Sequence, residues 1–219
     1  MLDLLEEKNL FSLGYKLIAS LDEAGRGPLA GPVVAACVVL PAGFIAEDEK
    51  LKLIADSKIL NASRREELFS VIEEQFGIGI GICDNKTIDK INIFQATFLA
   101  MKKALGALKE KPDFVLLDGG FKIPNYSGEQ KNIIKGDSLV FSIAAASIIA
   151  KVTRDRLMKK FHEQYPQYGF DRHKGYGTKL HLENLKKYGP CPIHRFSFGP
   201  VAGVAHVIAR SVATKQSQV

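Results

Sequence analysis

The sequence has few cysteines and no long apolar run, and both shortages narrow the class of protein it encodes. The three cysteines, Cys37, Cys83 and Cys191, lie far apart and are odd in number. They show neither metal-ligand spacing nor a disulfide framework, which favours a reduced cytosolic compartment. The longest apolar stretch without a charged residue, 139–150, is too short to span a bilayer. The acidic N-terminus lacks the positive region of a signal peptide. We therefore predict a cytoplasmic protein without a membrane segment.

The composition is that of a globular, mildly basic protein. Of the 219 residues, 46% are hydrophobic and 25% are charged, so a sizeable core is expected. Lys and Arg outnumber Asp and Glu by 30 to 24, and the net charge of +6 suits a polyanionic partner without requiring one. The histidines lack paired spacing, and we predict surface or loop positions for all five: His162, His173, His181, His194 and His206.

Apolar runs and turn residues predict a single α/β domain over residues 1–219. Strands are expected at 15–21, 33–40, 76–83, 114–117 and 132–135. Helices are expected from an N-cap within 61–63 to 75, from 91, at 138–165, at 179–188 and at 201–213, and residues 3–13 form either a short helix or a loose segment. The α/β core covers about 15–165 and a helical C-terminal part about 166–213. A disordered tail is predicted over 214–219.

Four acidic residues follow strands or strand-to-helix junctions: Asp22, Glu23, Asp118 and Asp137. The carboxyl ends of parallel strands gather on one rim of an open α/β sheet, where ligands bind. Carboxylates brought together there would repel one another without cations, and ligation by oxygen alone selects Mg²⁺ or Mn²⁺ over Zn²⁺. Two such ions could support hydrolysis of a phosphodiester. The alternative for the first pair of acids alone is a polar strand end before an ordinary turn.

Ordered motifs surround these acids along most of the chain: Asp22-Glu-Ala-Gly-Arg-Gly-Pro28, Asp56-Ser-Lys58, Leu117-Asp-Gly119, Lys135-Gly-Asp137, Ala144-Ala-Ala-Ser-Ile-Ile-Ala-Lys151, Arg154-Asp155 and Gly175-Tyr-Gly-Thr178. In sequence and in order, these motifs resemble those of the ribonuclease HII family. The resemblance implies a ribonuclease H-like α/β fold, with a mixed central sheet flanked by helices and a helical C-terminal part. The related ribonuclease HIII is disfavoured, since only about fifteen residues precede the first strand.

The resemblance also implies an activity and a set of site residues. The activity is Mg²⁺- or Mn²⁺-dependent endonucleolytic cleavage of the RNA strand of RNA–DNA hybrids and of duplex DNA containing single ribonucleotides, which leaves 3′-hydroxyl and 5′-phosphate ends. The metal-binding acids would be Asp22, Glu23, Asp118 and Asp137. The backbone of Gly25, Arg26 and Gly27 would contact the ribose 2′-hydroxyl, and Tyr176 would stack on the sugar.

Several assignments stay open from the sequence. Lys58 is either a phosphate contact or a solvated loop lysine, and the basic stretch 151–160 is either a solvated helix face or a track for the DNA backbone. Asp155 lies ~27 Å along a straight helix from Asp137, and we expect it in a structural ion pair. The functional alternatives are another nuclease of the superfamily, such as a junction resolvase, and a hybrid-binding protein without turnover.

Overall fold

The computed structural model describes residues 2, 4–44, 49–55, 57, 58 and 60–216, with side chains up to residue 207. Within these residues the strands are β1 (Leu17–Ala24), β2 (Val33–Pro41), β3 (Gly77–Cys83), β4 (Phe114–Asp118) and β5 (Glu129–Ile133). The helices are α1 (Leu5–Ser12), α2 (Ala62–Gln75), α3 (Asn85–Gly106), α4 (Phe141–Gln164), α5 (Phe170–His173), α6 (Lys179–Tyr188) and α7 (Gly199–Gln216).

The five strands form one mixed sheet in the order β3-β2-β1-β4-β5. The pair β1 and β2 is antiparallel, as expected for neighbours joined across a glycine turn. The pairs β1–β4 and β4–β5 are parallel, with Leu21 opposite Leu117. The predicted mixed sheet is therefore confirmed. Because β1 and β4 run in parallel, the residues after Leu21 and after Leu117 lie at the same edge of the sheet.

Several element ends differ from the prediction. β1 includes Asp22 and Glu23 instead of ending before them, because both pair with β2 in the antiparallel ladder. β5 lies at 129–133, earlier than predicted, because its residues pair with β4. α3 begins at residue 85 and has a kink at Asn92, whose φ is 63°.

Helix ends differ as well. The cap of α2 is Asn61, within the predicted 61–63, and its side chain accepts a hydrogen bond from the Arg64 N–H at 2.9 Å. α7 continues to Gln216 and includes the first half of the predicted disordered tail. Residues 217–219 lie outside the described part of the chain.

The chain forms two compact units. The first consists of Met1–Ala24, Val34–Ile82 and Thr97–Thr153, and the second of Gly25–Val33, Cys83–Ala96 and Arg154–Val219. In the first unit, the alanine-rich half of α4 packs with β2 and α2 in the main apolar core. In the second unit, Ala30 and Met158 pack with Tyr168 and Phe170.

The N-terminal helix is joined to the first unit by a buried polar contact. Glu7, fully buried on α1, accepts hydrogen bonds from the Ser142 N–H at 3.0 Å and the Ser142 hydroxyl at 2.6 Å. The Ser142 hydroxyl also lies 2.7 Å from that of Ser20 on β1. Among the described residues, no helix combines the length and apolar content needed to cross a membrane.

Candidate metal centre and substrate loop

Three aspartates meet at the edge of the sheet where β1 and β4 end. Asp22 lies in β1, Asp118 is the last residue of β4, and Asp137 lies in the 3-10 turn that precedes α4. One carboxylate oxygen from each lies within 4.8 Å of the other two. The backbone N–H of Asp137 also donates to Asp118 Oδ1 at 3.3 Å. We call Asp22, Asp118 and Asp137 the acidic cluster.

Burial and mutual repulsion make Asp22 and Asp118 costly to ionise. Burial raises the pKa of Asp22 well above its ordinary value, and the charges of Glu23 and Asp118 raise it further. Burial also raises the pKa of Asp118, followed by the charge of Asp137. A cation between these carboxylates would relieve both effects, because an opposite charge nearby favours the ionised form.

The donor atoms of the acidic cluster suit a hard divalent cation. In the part of the chain that the structure describes, this is the only group of three or more His, Cys, Asp or Glu side chains placed to hold a metal ion. All of its donors are carboxylate oxygens, which suit Mg²⁺, Mn²⁺ and Ca²⁺ and not the softer metals that prefer thiolate or imidazole. The residues therefore fit a divalent metal ion.

The fourth predicted metal ligand, Glu23, lies beside the acidic cluster but is not among its three members. Its side chain is half-buried, and its backbone N–H donates to Asp22 Oδ1 at 2.7 Å. Its charge contributes to the raised pKa of Asp22, so the two carboxylates interact electrostatically. The structure thus brings together three of the four acids and places Glu23 next to one of them.

Lys58 forms an ion pair with the acidic cluster. Its Nζ lies 2.6 Å from Asp137 Oδ2, although its side chain is 74% exposed. This ion pair does not decide between the two sequence alternatives, a phosphate contact and a solvated loop lysine. An ammonium group here partly balances the negative charge of the aspartates. Asp56, from the same predicted motif, lies outside the described residues.

Ser147 is a site residue that the sequence reasoning did not single out. It lies on α4 and is almost fully buried, and its side chain hydrogen-bonds Asp22. Its hydroxyl is also 2.8 Å from that of Ser57, next to Lys58 in the chain. A carboxylate only accepts, so Ser147 donates to Asp22 and accepts from Ser57. The available signal was that Ser147 is one of two serines, with Ser142, in the otherwise apolar stretch 139–150.

The Gly-Arg-Gly loop (residues 25–27) belongs to the second unit, where the first of two buried arginines, Arg195, holds it by its carbonyl groups. Arg195 donates to the carbonyl oxygens of Gly25 at 2.6 Å and Arg26 at 2.9 Å. Its remaining donors reach the carbonyls of Gly31 and Pro32. The guanidinium of Arg195 has five N–H donors in one plane, so it can bind several carbonyl oxygens at once. Because the carbonyls of Gly25 and Arg26 bond this buried arginine, the other side of the loop is left for a ligand.

The second buried arginine, Arg154, bonds the chain just after the loop. Its three donors reach the carbonyl oxygens of Pro32 at 2.9 Å, Lys174 at 3.0 Å and Ala30 at 3.1 Å. Arg154 is only 1% exposed, so it is not part of the basic surface considered over 151–160. Its side chain turns inward to these carbonyls instead. Burial lowers the pKa of Arg154 to about 10 and that of Arg195 to about 9, and both stay charged at neutral pH.

The two glycines of the loop are required to different degrees. Gly25 has a φ of 98°, and a Cβ there would clash with the Arg154 guanidinium and lie 2.7 Å from the Pro32 oxygen. At Gly27 a Cβ would only touch the Tyr176 ring, at 3.7 Å from Cε1. Gly25 is therefore structurally essential, whereas Gly27 is open to solvent beside Tyr176.

Tyr176 lies within the second unit and is 45% exposed. Its backbone N–H donates to the His173 carbonyl at 2.9 Å, and its carbonyl accepts from Thr178 N–H at 2.8 Å. The preceding residue, Gly175, accepts from Leu29 N–H at 2.8 Å. An exposed aromatic ring on a backbone fixed at several points is suited to stacking on a ligand.

The sheet and the acidic cluster together define a class of protein, the metal-dependent nucleases with a ribonuclease H fold. Comparison with known sequences narrows that class. A family model described as Ribonuclease HII matches residues 19–201. Ribonuclease HII of Acetivibrio thermocellus is 56% identical over 193 residues, which cover 88% of this chain and 73% of that protein. The chain belongs to the ribonuclease HII family, which confirms the resemblance seen in the sequence.

Solved structures agree with this assignment. Ribonuclease H2 from Pyrococcus horikoshii OT3 superimposes with a TM-score of 0.68 at 30% identity, covering 86% of this chain and 96% of that one. Bst-RNase HIII, solved in complex with Mn²⁺, gives a TM-score of 0.72 at 18% identity, covering 91% and 72%. This second similarity concerns the fold alone. Family membership makes the protein a ribonuclease H, an endonuclease that depends on divalent metal and acts on RNA–DNA hybrids.

Proposed function

We propose that Asp22, Glu23, Asp118 and Asp137 hold two divalent cations, Mg²⁺ or Mn²⁺, as the catalytic centre of this ribonuclease H. The observation that carries the proposal is the convergence of three aspartate carboxylates within 4.8 Å, with Asp22 and Asp137 buried and Asp118 half-buried. Bound at such a site, a pair of divalent ions supplies charge neutralisation for the phosphodiester and activation of water. Cleavage would leave 3′-hydroxyl and 5′-phosphate ends.

The chain's own residues prepare this centre. Ser147 and the backbone N–H of Glu23 donate to Asp22, and the Asp137 N–H donates to Asp118, so these carboxylates are held before any ion binds. Outer partners of this kind orient ligands and preserve their ionised state. Lys58 would exchange its bond to Asp137 for a substrate phosphate when a cation takes over the neutralisation.

The proposed substrates are the RNA strand of RNA–DNA hybrids and single ribonucleotides embedded in duplex DNA. Recognition is assigned to the backbone of Gly25, Arg26 and Gly27 at the ribose 2′-hydroxyl and to the Tyr176 ring at the sugar. The buried Arg195, which fixes the carbonyls of Gly25 and Arg26, supports this role, since a site built around a hydroxyl must be rigid. Such a site can reject the analogue lacking that hydroxyl by ~10⁴-fold or more.

The metal assignment is tested with Asp118→Asn, which keeps the side-chain volume and removes one charge. We expect its cleavage of duplex DNA with one embedded ribonucleotide to fall by more than the ~10–100-fold that loss of an outer partner costs. Mn²⁺ affinity, measured by electron paramagnetic resonance, should fall as well. The matched control is Glu73→Gln, because Glu73 is exposed on α2. Normal turnover and Mn²⁺ binding in a folded Asp118→Asn protein would refute the assignment.

Substrate choice is tested in the wild type on the embedded-ribonucleotide duplex, an all-DNA duplex of the same sequence, an RNA–DNA hybrid and a four-way DNA junction. We expect cleavage of the first and third only, with either Mg²⁺ or Mn²⁺. Cutting of the junction or of the all-DNA duplex at a similar rate would contradict the ribose assignment. It would leave the metal centre intact, so the two parts of the proposal fail independently.

A further inference from the structure

Three histidines in the second unit are buried, although the sequence placed them on the surface or in loops. His181 and His194 are fully buried and His173 is 9% exposed. The His173 and His181 rings stack with centroids 4.5 Å apart and an interplanar angle of 12°. His181 Nε2 lies 3.0 Å from His194 Nε2. We call these three residues the histidine network. Because the three histidines are separated in the chain, no pattern of sequence spacing predicts that they form a cluster.

The hydrogen-bond partners of the neutral rings fix the tautomer of each ring. His181 Nδ1 lies 2.9 Å from the Tyr176 carbonyl oxygen, which can only accept, so Nδ1 carries the proton. His181 Nε2 must then accept, and His194 Nε2–H donates to it. His194 Nδ1 in turn accepts from the Cys191 N–H at 2.9 Å. The result is a directional chain of donors that starts at Cys191 and ends on the carbonyl of Tyr176.

His173 also forms a hydrogen bond with the backbone of the segment that carries Tyr176. Its Nε2–H donates to the Tyr168 carbonyl at 2.8 Å, and its Nδ1 accepts from the Gly175 N–H at 3.2 Å. Gly175 has a φ of 84°, and a Cβ there would lie 2.5 Å from the Ala30 oxygen, so the chain is confined at this point. Two stacked imidazoles thus bond the N–H of residue 175 and the C=O of residue 176.

We propose that the histidine network is a positioning device for Tyr176, which sets the direction in which the exposed ring meets the ribose. This inference rests on the substrate role proposed above for Tyr176. The histidines touch no reacting atom in this scheme and act through the tyrosine backbone. Because Tyr176 is nearly half exposed, the direction of its ring depends largely on the position of the backbone to which it is attached. A shift of about 1 Å at a positioning group can cost ~100-fold in rate.

The surroundings keep the network neutral, as its tautomers require. Burial lowers the pKa of His181 and of His194 to about 4, and it also lowers that of His173. A further proton on any ring would set two donors face to face. The titratable or charged groups that act on the network from its surroundings are Tyr168, Asp171, Lys174, Cys191 and the histidines themselves.

The test compares His181→Asn with His181→Leu in single-turnover cleavage of the embedded-ribonucleotide duplex. Asn retains a side-chain N–H donor for the Tyr176 carbonyl, and Leu removes it without leaving a large cavity. We expect the rate to fall ~10- to 100-fold for Leu and clearly less for Asn. Duplex affinity, measured in EDTA, should change little for either. His206→Asn, at an exposed histidine on α7, is the matched control.

A double-mutant cycle separates a positioning role from a purely structural one. If His181 acts through Tyr176, the pair His181→Leu and Tyr176→Ala should cut no more slowly than Tyr176→Ala alone. Multiplicative losses in folded protein would overturn the inference. Full activity of Tyr176→Ala would instead refute the ribose role of the tyrosine. An impaired Tyr176→Ala beside a fully active His181→Leu would refute the network alone.

A spectroscopic measurement on the wild type covers the case in which His181→Leu fails to fold. In protein labelled with ¹⁵N-histidine, ¹⁵N chemical shifts distinguish protonated from unprotonated ring nitrogens. We expect His181 protonated at Nδ1 and His194 at Nε2, both neutral at pH 7. The opposite tautomer in either ring, or a charged ring, would break the donor chain to Tyr176 and overturn the proposal.

Discussion

The two glycines of the Gly-Arg-Gly loop should respond to the same substitution in different ways. At Gly25 an alanine must adopt a φ of 98°, which costs about 1–2 kcal/mol. Its methyl group would also displace the Arg154 guanidinium, whose hydrogen bonds are worth about 1.5–3 kcal/mol each. Loss of one such bond together with the backbone strain gives roughly 3–5 kcal/mol of destabilisation.

For a chain of this length, that loss corresponds to a fall in Tm of roughly 10 °C. At Gly27 the φ is ordinary, and an alanine Cβ would make a normal contact with Tyr176 at 3.7 Å. Gly27→Ala should therefore keep its Tm and most of its activity. Gly27→Val adds two methyl groups beside the tyrosine ring, so it should lose cleavage of the embedded-ribonucleotide duplex far more than affinity for it.

The assay is thermal melting, duplex binding in EDTA and single-turnover cleavage on the same preparations of all three variants. A Gly25→Ala protein that melts within about 2 °C of the wild type would refute the strain argument. A Gly27→Val protein that melts early but cuts normally while folded would show that Gly27 is only a turn residue. That second outcome would also contradict the proposed role of Gly27 in recognising the ribose.

Three further predictions follow from the site and its surroundings. Lys58→Ala should flatten the dependence of duplex affinity on salt by about 0.9 logarithmic units per decade, and an unchanged slope would exclude a phosphate contact. Ser147→Ala should lower Mn²⁺ affinity or turnover ~10- to 100-fold by releasing Asp22, with unchanged values counting against its role. Because the folded pKa values of His181 and His194 lie near 4, below the ordinary 6.5, the free energy of unfolding should fall as pH drops from about 6.5 to 4. Each pKa shift corresponds to roughly 3 kcal/mol of unfolding free energy per histidine. The prediction would be contradicted if denaturant titrations gave wild type and His181→Asn the same pH dependence of that free energy.

The acidic cluster was predictable because its members follow strands. Asp22 and Asp118 occupy the ends of two apolar runs, and pairing rules bring the ends of parallel neighbours to one edge. Asp137 was predicted on the same ground, from a strand expected at 132–135, although the strand lies at 129–133 and Asp137 lies in the 3-10 turn that follows. The roles of all these residues remain predictions until the variants are measured.

The supporting residues could not be predicted, for a physical reason. His181 and His194 meet although they are 13 residues apart in the chain, with a break at Pro190 and Pro192 between them. No helical or strand period links such positions. Arg154 follows a lysine-rich pattern that is typical of a solvated face, and only tertiary packing turns it inward. The periodicity of apolar residues indicates which side of a helix or strand faces the core. It does not indicate which polar side chains form hydrogen bonds within that core.

The bond between Arg195 and the carbonyl of Gly25 joins residues 170 positions apart. During synthesis, a ribosome that adds ~5–20 residues per second needs roughly 10–30 s between these two residues. By the time residue 137 has been made, all four acids are already in the chain, yet the loop still lacks the arginine that fixes its carbonyls. A nascent or truncated chain can therefore carry every proposed metal ligand before it can hold the Gly-Arg-Gly loop in this conformation, and ribose recognition would be the later of the two proposed functions to mature.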